Sequence, residues 1–477
     1  MSSHNNLINE YVTAVCQQVR WKKARPRIAD ELSIHIADTR DAYESEGLTR
    51  ADATAQAITD TGDVAVVGTQ FDRVHRPKPQ WGMLGTTATL VVLGLAVYAF
   101  FAGGLSLDRL LFTGIGIAGL AAAYFIDFTW LVKYPKTLLF TVSAFSIAVI
   151  FMRSLRIIIS GLSLTRANIP FGPTGTGIIF FSLGDVVTLV FPLTLAIIIF
   201  YAKGKGYWGL IISWLSFMLL VLIALGMSVG GGARFGAIAF MLFGIAIAKD
   251  LFKVKKIPAV LLTFGPFISI GLFVFVTMNQ FQRERLIAIF MPSSAPVTRG
   301  FWALTTRAIL RDAAWFGQGG TDALAMLFPF SQSPPVQVQY TSVLTALIGL
   351  MGWISFVIIF SILMFFIVKG ILRCLKQKSS LGFLVSSAIM LTFSVQAFEY
   401  IMFNLGFQIA SPMSLPLIVS SNAALVINMV LIGFMLSVFR TGDAIMDKHH
   451  DTKTGKLVNW DDGRLIINFK HKTGQKA

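Results

Sequence analysis

Residues 207–226 read YWGLIISWLSFMLLVLIALG, twenty consecutive residues without a formal charge. A helix of that length covers about 30 Å, the hydrocarbon thickness of a bilayer. Within hydrocarbon, an unpaired backbone N–H or C=O costs several kcal/mol, so such a stretch must be helical. It has many companions. Apolar segments of similar length occupy 82–103, 109–131, 137–157, 177–200, 233–249, 257–278, 341–368, 381–404 and 413–439. Segments five and six are separated only by Gly226–Gly232, which reads as a tight turn. The whole chain agrees: of 477 residues, 55% are hydrophobic and only 13% charged. A soluble chain of this length would need about twice that charge to cover its surface. The expectation is an all-α, polytopic membrane protein of about ten transmembrane helices.

The formal net charge is +16, so its distribution decides between nucleic acid and membrane topology. Residues 1–81 contribute −1, residues 82–440 contribute +15 and residues 441–477 contribute +2. Twelve basic residues of the middle region fall in alternate short loops: Lys133 and Lys136; Lys203 and Lys205; Lys249, Lys253, Lys255 and Lys256; Lys369, Arg373, Lys376 and Lys378. The opposite loops hold Arg109, Arg153, Arg156, Arg166 and Arg234, mostly at span edges. The lysine-bearing face is therefore read as cytoplasmic, with both termini on that side. Cys16 and Cys374 then lie in the cytosol, where thiols stay reduced. Nucleic acid drops out as a partner.

Residues 1–81 have helical periodicity and read as a three-helix cytosolic domain. Asn6, Pro26 and Thr49 mark helix starts, and Gly62 a stop. No apolar run near Met1 has the form of a signal peptide. Residues 279–340 form a large external loop with a helical stretch at Gly300–Trp315. Residues 441–477 read as a basic cytosolic tail.

Candidate chemistry is sparse. Walker, GxGxxG and HExxH patterns are absent, and all six histidines lie in the cytosolic ends, so neither a metal site nor Ser-His-Asp catalysis is expected in the membrane. Asp127, Asp185 and Glu399 fall within spans, where ionisable groups are costly and mark functional positions. Asp127 lies near the interface beside Lys133 and reads as structural. Asp185 and Glu399, the latter sharing its span with Ser394, Gln396 and Asn404, are candidates to line a polar cavity. In the external loop, Asp312 and Asp322 lie near Arg299, Arg307 and Arg311. Arginines on an outer face suit phosphate or pyrophosphate.

The second half carries a resemblance. Residues 283–320 read RERLIAIFMPSSAPVTRGFWALTTRAILRDAAWFGQGG, residues 339–356 QYTSVLTALIGLMGWISF, and residues 396–440 QAFEYIMFNLGFQIASPMSLPLIVSSNAALVINMVLIGFMLSVFR. This pattern resembles the SEDS family (FtsW/RodA/SpoVE-like): an R-x-R-L-like start, a proline pair, a G-x-G turn, a proline-rich approach to span eight, and a Q-x-x-x-N-x-G…P-x-x-L-P-like ending. Ten spans, internal termini and a large loop after span seven fit the same family. Residues 62–81, GDVAVVGTQFDRVHRPKPQW, resemble the end of a HAAS-type permease-prefix domain.

The resemblance implies a bacterial plasma-membrane protein of cell-wall assembly, cell shape or division. Its substrate would be the lipid-linked disaccharide precursor of peptidoglycan, and its partner a class B transpeptidase. The implied reaction is glycosyl transfer, in which a carboxylate activates a sugar hydroxyl and a cation supports the departing pyrophosphate. The only cofactor implied is such a divalent cation. Residue by residue, Pro292 and Pro296 match the family's prolines, but its catalytic aspartate falls on Ala295, and its H-T-D falls on Gln339 and Thr341. Alanine accepts no proton, so Asp312 and Asp322 are the substitute candidates for the base. Arg283, Arg285, Arg299, Arg307 and Arg311 are candidates for the lipid pyrophosphate, and Asp185, Gln396 and Glu399 for an intramembrane polar site. Three readings follow: a divergent SEDS polymerase, a non-catalytic SEDS-like scaffold or regulator, and a flippase for the lipid-linked precursor.

Overall fold

In the computed structural model, the described residues are 2–22, 24–75, 79–126, 128, 133–162, 187–277, 279–291, 297–319, 341–407, 412, 414–441, 458–461 and 464–467. The N-terminal region contains four helices, α1 (Ser2–Gln18), α2 (Arg25–Ser45), α3 (Arg50–Thr61) and α4 (Val64–His75), where the sequence reading has three. The third ends as expected, with Thr49 as its cap and Gly62 at φ 103° beyond it. The fourth starts at once because the Asp63 carboxylate accepts from the N–H groups of Ala65 and Val66 (2.8 and 3.3 Å), which would otherwise be orphaned. Ile8, Val12, Val15, Ile28, Leu32 and Ala57 meet in a small core, and the Tyr11 hydroxyl donates to the Gly62 carbonyl at 2.7 Å.

The membrane part follows as α5 (Trp81–Ala102), α6 (Leu107–Phe125), α7 (Pro135–Leu162), α8 (Phe191–Tyr201, after a 3-10 turn Thr188–Val190), α9 (Gly206–Met227), α10 (Val229–Ala248) and α11 (Lys256–Thr277). The loop after α11 contributes α12 (Gln280–Phe290) and α13 (Val297–Asp312). Then come α14 (Val343–Met351), α15 (Trp353–Leu375), α16 (Ser380–Asn404) and α17 (Asn422–Thr441). Eight described helices are long and apolar enough to cross a membrane; Thr188–Tyr201 and Lys256–Ser269 are shorter apolar stretches at the places of spans four and seven. The C-terminal unit, Met446–Ala477, contains an antiparallel hairpin, β1 (Val458–Asp461) with β2 (Arg464–Ile467), pairing Trp460 with Leu465; it is the one departure from all-α among the described residues.

Three spans differ from the sequence reading. The glycine cluster is not a loop: α9 runs to Met227, Ser228 alone turns the chain and caps Gly231 N–H, and Gly230–Gly232 form the first turn of α10. Span eight is two helices, broken at Gly352. Span ten starts only at Asn422, because Ser414–Ser420 forms a buried hairpin closed by paired bonds between Leu415 and Val419 (2.8 and 3.0 Å).

Helix α16 is the axle of the bundle. It packs against α8, α10, α14, α15 and α17. One of its faces gives Val385, Ile389, Phe393 and Tyr400 to one apolar cluster, and another gives Leu384 and Ala388 to a second. The hairpin leans on α5, where a Cβ on Gly94 would stand 2.3 Å from the Leu417 carbonyl oxygen, so only glycine fits.

The break at Gly352 is held from outside. Gly352 has φ 87° and ψ 174°, a conformation that side chains disfavour. The carbonyls of Ala314 and Trp315 accept from the first N–H groups of α15, at Trp353 and Ile354 (3.0 and 3.2 Å). The N–H groups of Gly317 and Gly319 donate to the last carbonyls of α14, at Met351 and Gly349 (3.2 and 3.1 Å). A Cβ at position 352 would also stand 2.6 Å from the Trp315 carbonyl oxygen. Gly352→Ala should therefore cost about 1–3 kcal/mol in backbone strain alone, read as a melting temperature lowered by several degrees in detergent. Gly244→Ala, in α10 with open space around it, should leave the melting temperature unchanged.

Cys16 is buried in the N-terminal core, and burial pushes its thiol above the usual range. Less thiolate then exists near neutral pH than in the unfolded chain. Maleimide should label Cys16 slowly in the folded protein and rapidly after denaturation.

Candidate functional site

Several polar residues lie toward the C-terminal end of α16, the end that Arg307 ties to the loop helices α12 and α13. Gln396, Tyr400 and Asn404 recur every four residues and so share one stripe of the helix, with Glu399 alongside.

Glu399 is paired. Its Oε2 accepts from Arg234 Nε of α10 at 2.6 Å, and the two side chains are 17% and 4% exposed. A charge among apolar helices persists when compensated, and this contact neutralises both partners. The sequence places Arg234 at a span edge. Placing Ser228 at the turn instead moves it more than one helical turn inside α10. The sequence signal was present: a lone arginine within one apolar run and a lone glutamate within another.

Asn404 closes a different gap. Its Oδ1 accepts from the Thr345 N–H and hydroxyl, each at 2.9 Å, in the first turn of α14, where Ser342 offers no side-chain cap. Its Nδ2 donates to the carbonyls of Thr341 and Tyr400, each at 2.9 Å. Gln396 is buried, and its Oε1 accepts from the Ser414 hydroxyl of the hairpin at 3.3 Å. Arg109, at the start of α6, holds the hairpin's far end: its Nη1 donates to the Ser420 carbonyl (2.9 Å) and to Asn422 Oδ1 (3.1 Å). Leu417 at the hairpin tip has φ 64°, a strained conformation of the kind that collects at functional sites. Gln396 Nε2, the Ser420 hydroxyl and both polar atoms of Asn428 are buried and find no partner among the described residues. Each such buried group calls for an explanation, a bound water or polar ligand being one.

The arginines read as pyrophosphate ligands divide. Arg307 is occupied: its guanidinium donates to the carbonyls of Ile289 and Phe290 at the end of α12 (3.2 and 3.4 Å) and of Gly406 beyond α16 (3.2 Å), and lies 5.2 Å from the Phe407 ring centroid. Arg307 thus ties the loop helices to α16. Arg283 is exposed on α12, and Arg311 is exposed at the end of α13, where its Nε lies 3.4 Å from Asp312 Oδ1. Arg285 and Arg299 belong to α12 and α13, but their side chains lie outside the described residues, as do Asp127, Asp185, Asp322, Pro292, Ala295, Pro296 and Gln339. Asp312 is exposed and directly precedes residues 313–319, the segment that holds the break at Gly352. Among the described residues no group of three or more His, Cys, Asp or Glu side chains could hold a metal ion.

Removing one partner of the buried pair leaves the other charge stranded, at a cost of about 3–5 kcal/mol. Arg234→Met or Glu399→Met should therefore each lower the melting temperature markedly. The double variant should recover most of the loss, and a double variant no better than the singles would count against a mutually compensating pair.

No family profile and no curated protein matches the sequence. Solved structures do. A chain from work described as "Structural coordination of polymerization and crosslinking by a peptidoglycan synthase complex" is 16% identical, with a TM-score of 0.51 over 76% of this chain and 98% of that one. The rod shape determining protein RodA of Thermus thermophilus is 15% identical, with a TM-score of 0.45 over 77% of this chain and 98% of RodA. At such identities the likeness is one of fold, and it covers nearly the whole of the matched chain. The chain therefore shares the fold of that chain from the work on a peptidoglycan synthase complex.

Proposed function

We propose that this protein works in bacterial cell-wall assembly, binding an undecaprenyl-pyrophosphate-linked disaccharide at the end of the bundle where α12, α13 and α16 meet. The observation that carries this is the concentration there of polar groups around two interruptions of the membrane helices, in a fold shared with a chain of a peptidoglycan synthase complex. A lipid carrier presents a polar head at the membrane surface and apolar isoprenoid below it. Broken helices are tolerated at such depth where they border a polar cavity or are buried in protein.

In this reading Arg283 and Arg311 are the exposed cations available to the pyrophosphate, and Asp312 is the proton acceptor. A carboxylate there takes the proton of the attacking sugar hydroxyl, while an arginine supports charge on the departing pyrophosphate. A divalent cation would assist the same departure. A transpeptidase partner would crosslink the product. Alanine at 295, where the SEDS pattern has its catalytic aspartate, supports a second reading: a non-catalytic member that binds the precursor or a partner without polymerising it.

Polymerisation of purified lipid-linked disaccharide by the full chain, with and without magnesium, tests both. Activity that falls at least about a hundredfold in Asp312→Asn, the size of a general-base contribution, supports glycosyl transfer with Asp312 as base. Robust polymerisation by that variant removes Asp312 from the role. Binding of the precursor without polymer, weakened in Arg311→Gln, supports the non-catalytic reading. Movement of precursor across proteoliposome membranes without polymer would instead favour the flippase reading.

A further inference from the structure

The loops joining α8 to α9 and α10 to α11 are locked to each other on the lysine-bearing face. The Gly204 N–H donates to the Leu251 carbonyl (2.9 Å) and the Gly206 N–H to the Phe252 carbonyl (3.1 Å). Ala202, Leu251 and Phe252 are buried beneath them. Asp250 and Lys253 adopt φ 52° and 54°, left-handed conformations that a side chain pays for and that survive where the surroundings impose them. The result is a fixed platform at the ends of four apolar helices.

Its charge is one-sided. Lys203, Lys205, Lys249, Lys253, Lys255 and Lys256 stand against a single carboxylate, Asp250. All but Lys203 are exposed. Lys203 Nζ donates to the Ser380 hydroxyl at 2.8 Å, Lys205 Nζ lies 3.4 Å from the Tyr201 ring centroid and Lys249 Nζ 3.5 Å from that of Phe383. These contacts hold three of the ammonium groups in place without neutralising them. Tyr207 and Trp208, 43% and 73% exposed, follow directly on α9. Exposed aromatics at a helix end mark the depth of the lipid headgroups.

Six like charges held on a stiff surface repel one another, and an anion relieves that repulsion. At headgroup depth, the anions at high local concentration are the phosphates of the bilayer. We propose that this platform is a binding site for anionic phospholipid headgroups of the leaflet it faces. A polybasic juxtamembrane segment gains affinity for such a surface with each lysine. This platform differs from a flexible polybasic segment in that its geometry is set before the lipid arrives.

The test is native mass spectrometry of the full chain in detergent, titrated with phosphatidylglycerol or with phosphatidylcholine. The wild type should retain phosphatidylglycerol in preference. The quadruple variant K249Q/K253Q/K255Q/K256Q should lose that preference, by roughly fivefold in affinity for each lysine removed. K369Q/R373Q/K376Q/K378Q, which removes as many charges from another loop of the same face, should keep it. Equal retention of the two lipids by the wild type would overturn the proposal. So would preference kept by the first variant, or lost equally by the second. Displacement of the lipid by excess inorganic phosphate would show that a free anion, not a headgroup, is the ligand, and would overturn it too. An unchanged melting temperature in both variants confirms that charge, not folding, is being read.

Discussion

A membrane helix can be interrupted only where its freed backbone groups find partners, and one end of this bundle is arranged around two such interruptions. At Gly352 the partners are themselves backbone. Carbonyls of 314 and 315 serve the start of α15, and N–H groups of 317 and 319 serve the end of α14. The loop after α13 is therefore part of the transmembrane structure. It supplies bonds that water would supply in a soluble protein. At the second interruption, the hairpin before α17 pairs with itself between Leu415 and Val419 and is pinned by Arg109 at Ser420.

The same constraint explains the division of labour among the arginines. Arg109 and Arg307 donate to carbonyls at chain ends, and Arg234 neutralises Glu399. A planar fork with five donors can satisfy two or three acceptors at once, which a lysine ammonium does less well. The arginines at this end of the bundle are therefore partly scaffold. Arg283 and Arg311 instead project from α12 and α13 into solvent.

The lipid-crossing helices were legible in the sequence because length and hydropathy determine them: α5, α9 and α16 begin and end within a residue of the boundaries read from apolar runs. The interruptions were not legible. The run 341–368 is apolar throughout, and nothing local distinguishes Gly352 from the glycines that helices tolerate. Its role depends on residues 314–319, some thirty positions away. Likewise Gln396 and Glu399 could be singled out as polar groups in an apolar span. Their partners, Ser414 and Arg234, come from other elements and follow only from the packing of α16. The fourth N-terminal helix could have been read from Asp63 after Gly62, a cap directly following a stop.

The polar end of α16 shows which side chains hold the architecture there. Asn404 serves the start of α14, Arg307 joins the ends of α12 and α16, and Arg234 compensates Glu399. The residues that hold the architecture at this end are thus distinct from the exposed charged groups on the loop helices. Asp312 stands outside those architectural contacts. It is exposed, at a helix end, next to a guanidinium, and immediately before the segment whose backbone bonds fix its position relative to α14 and α15.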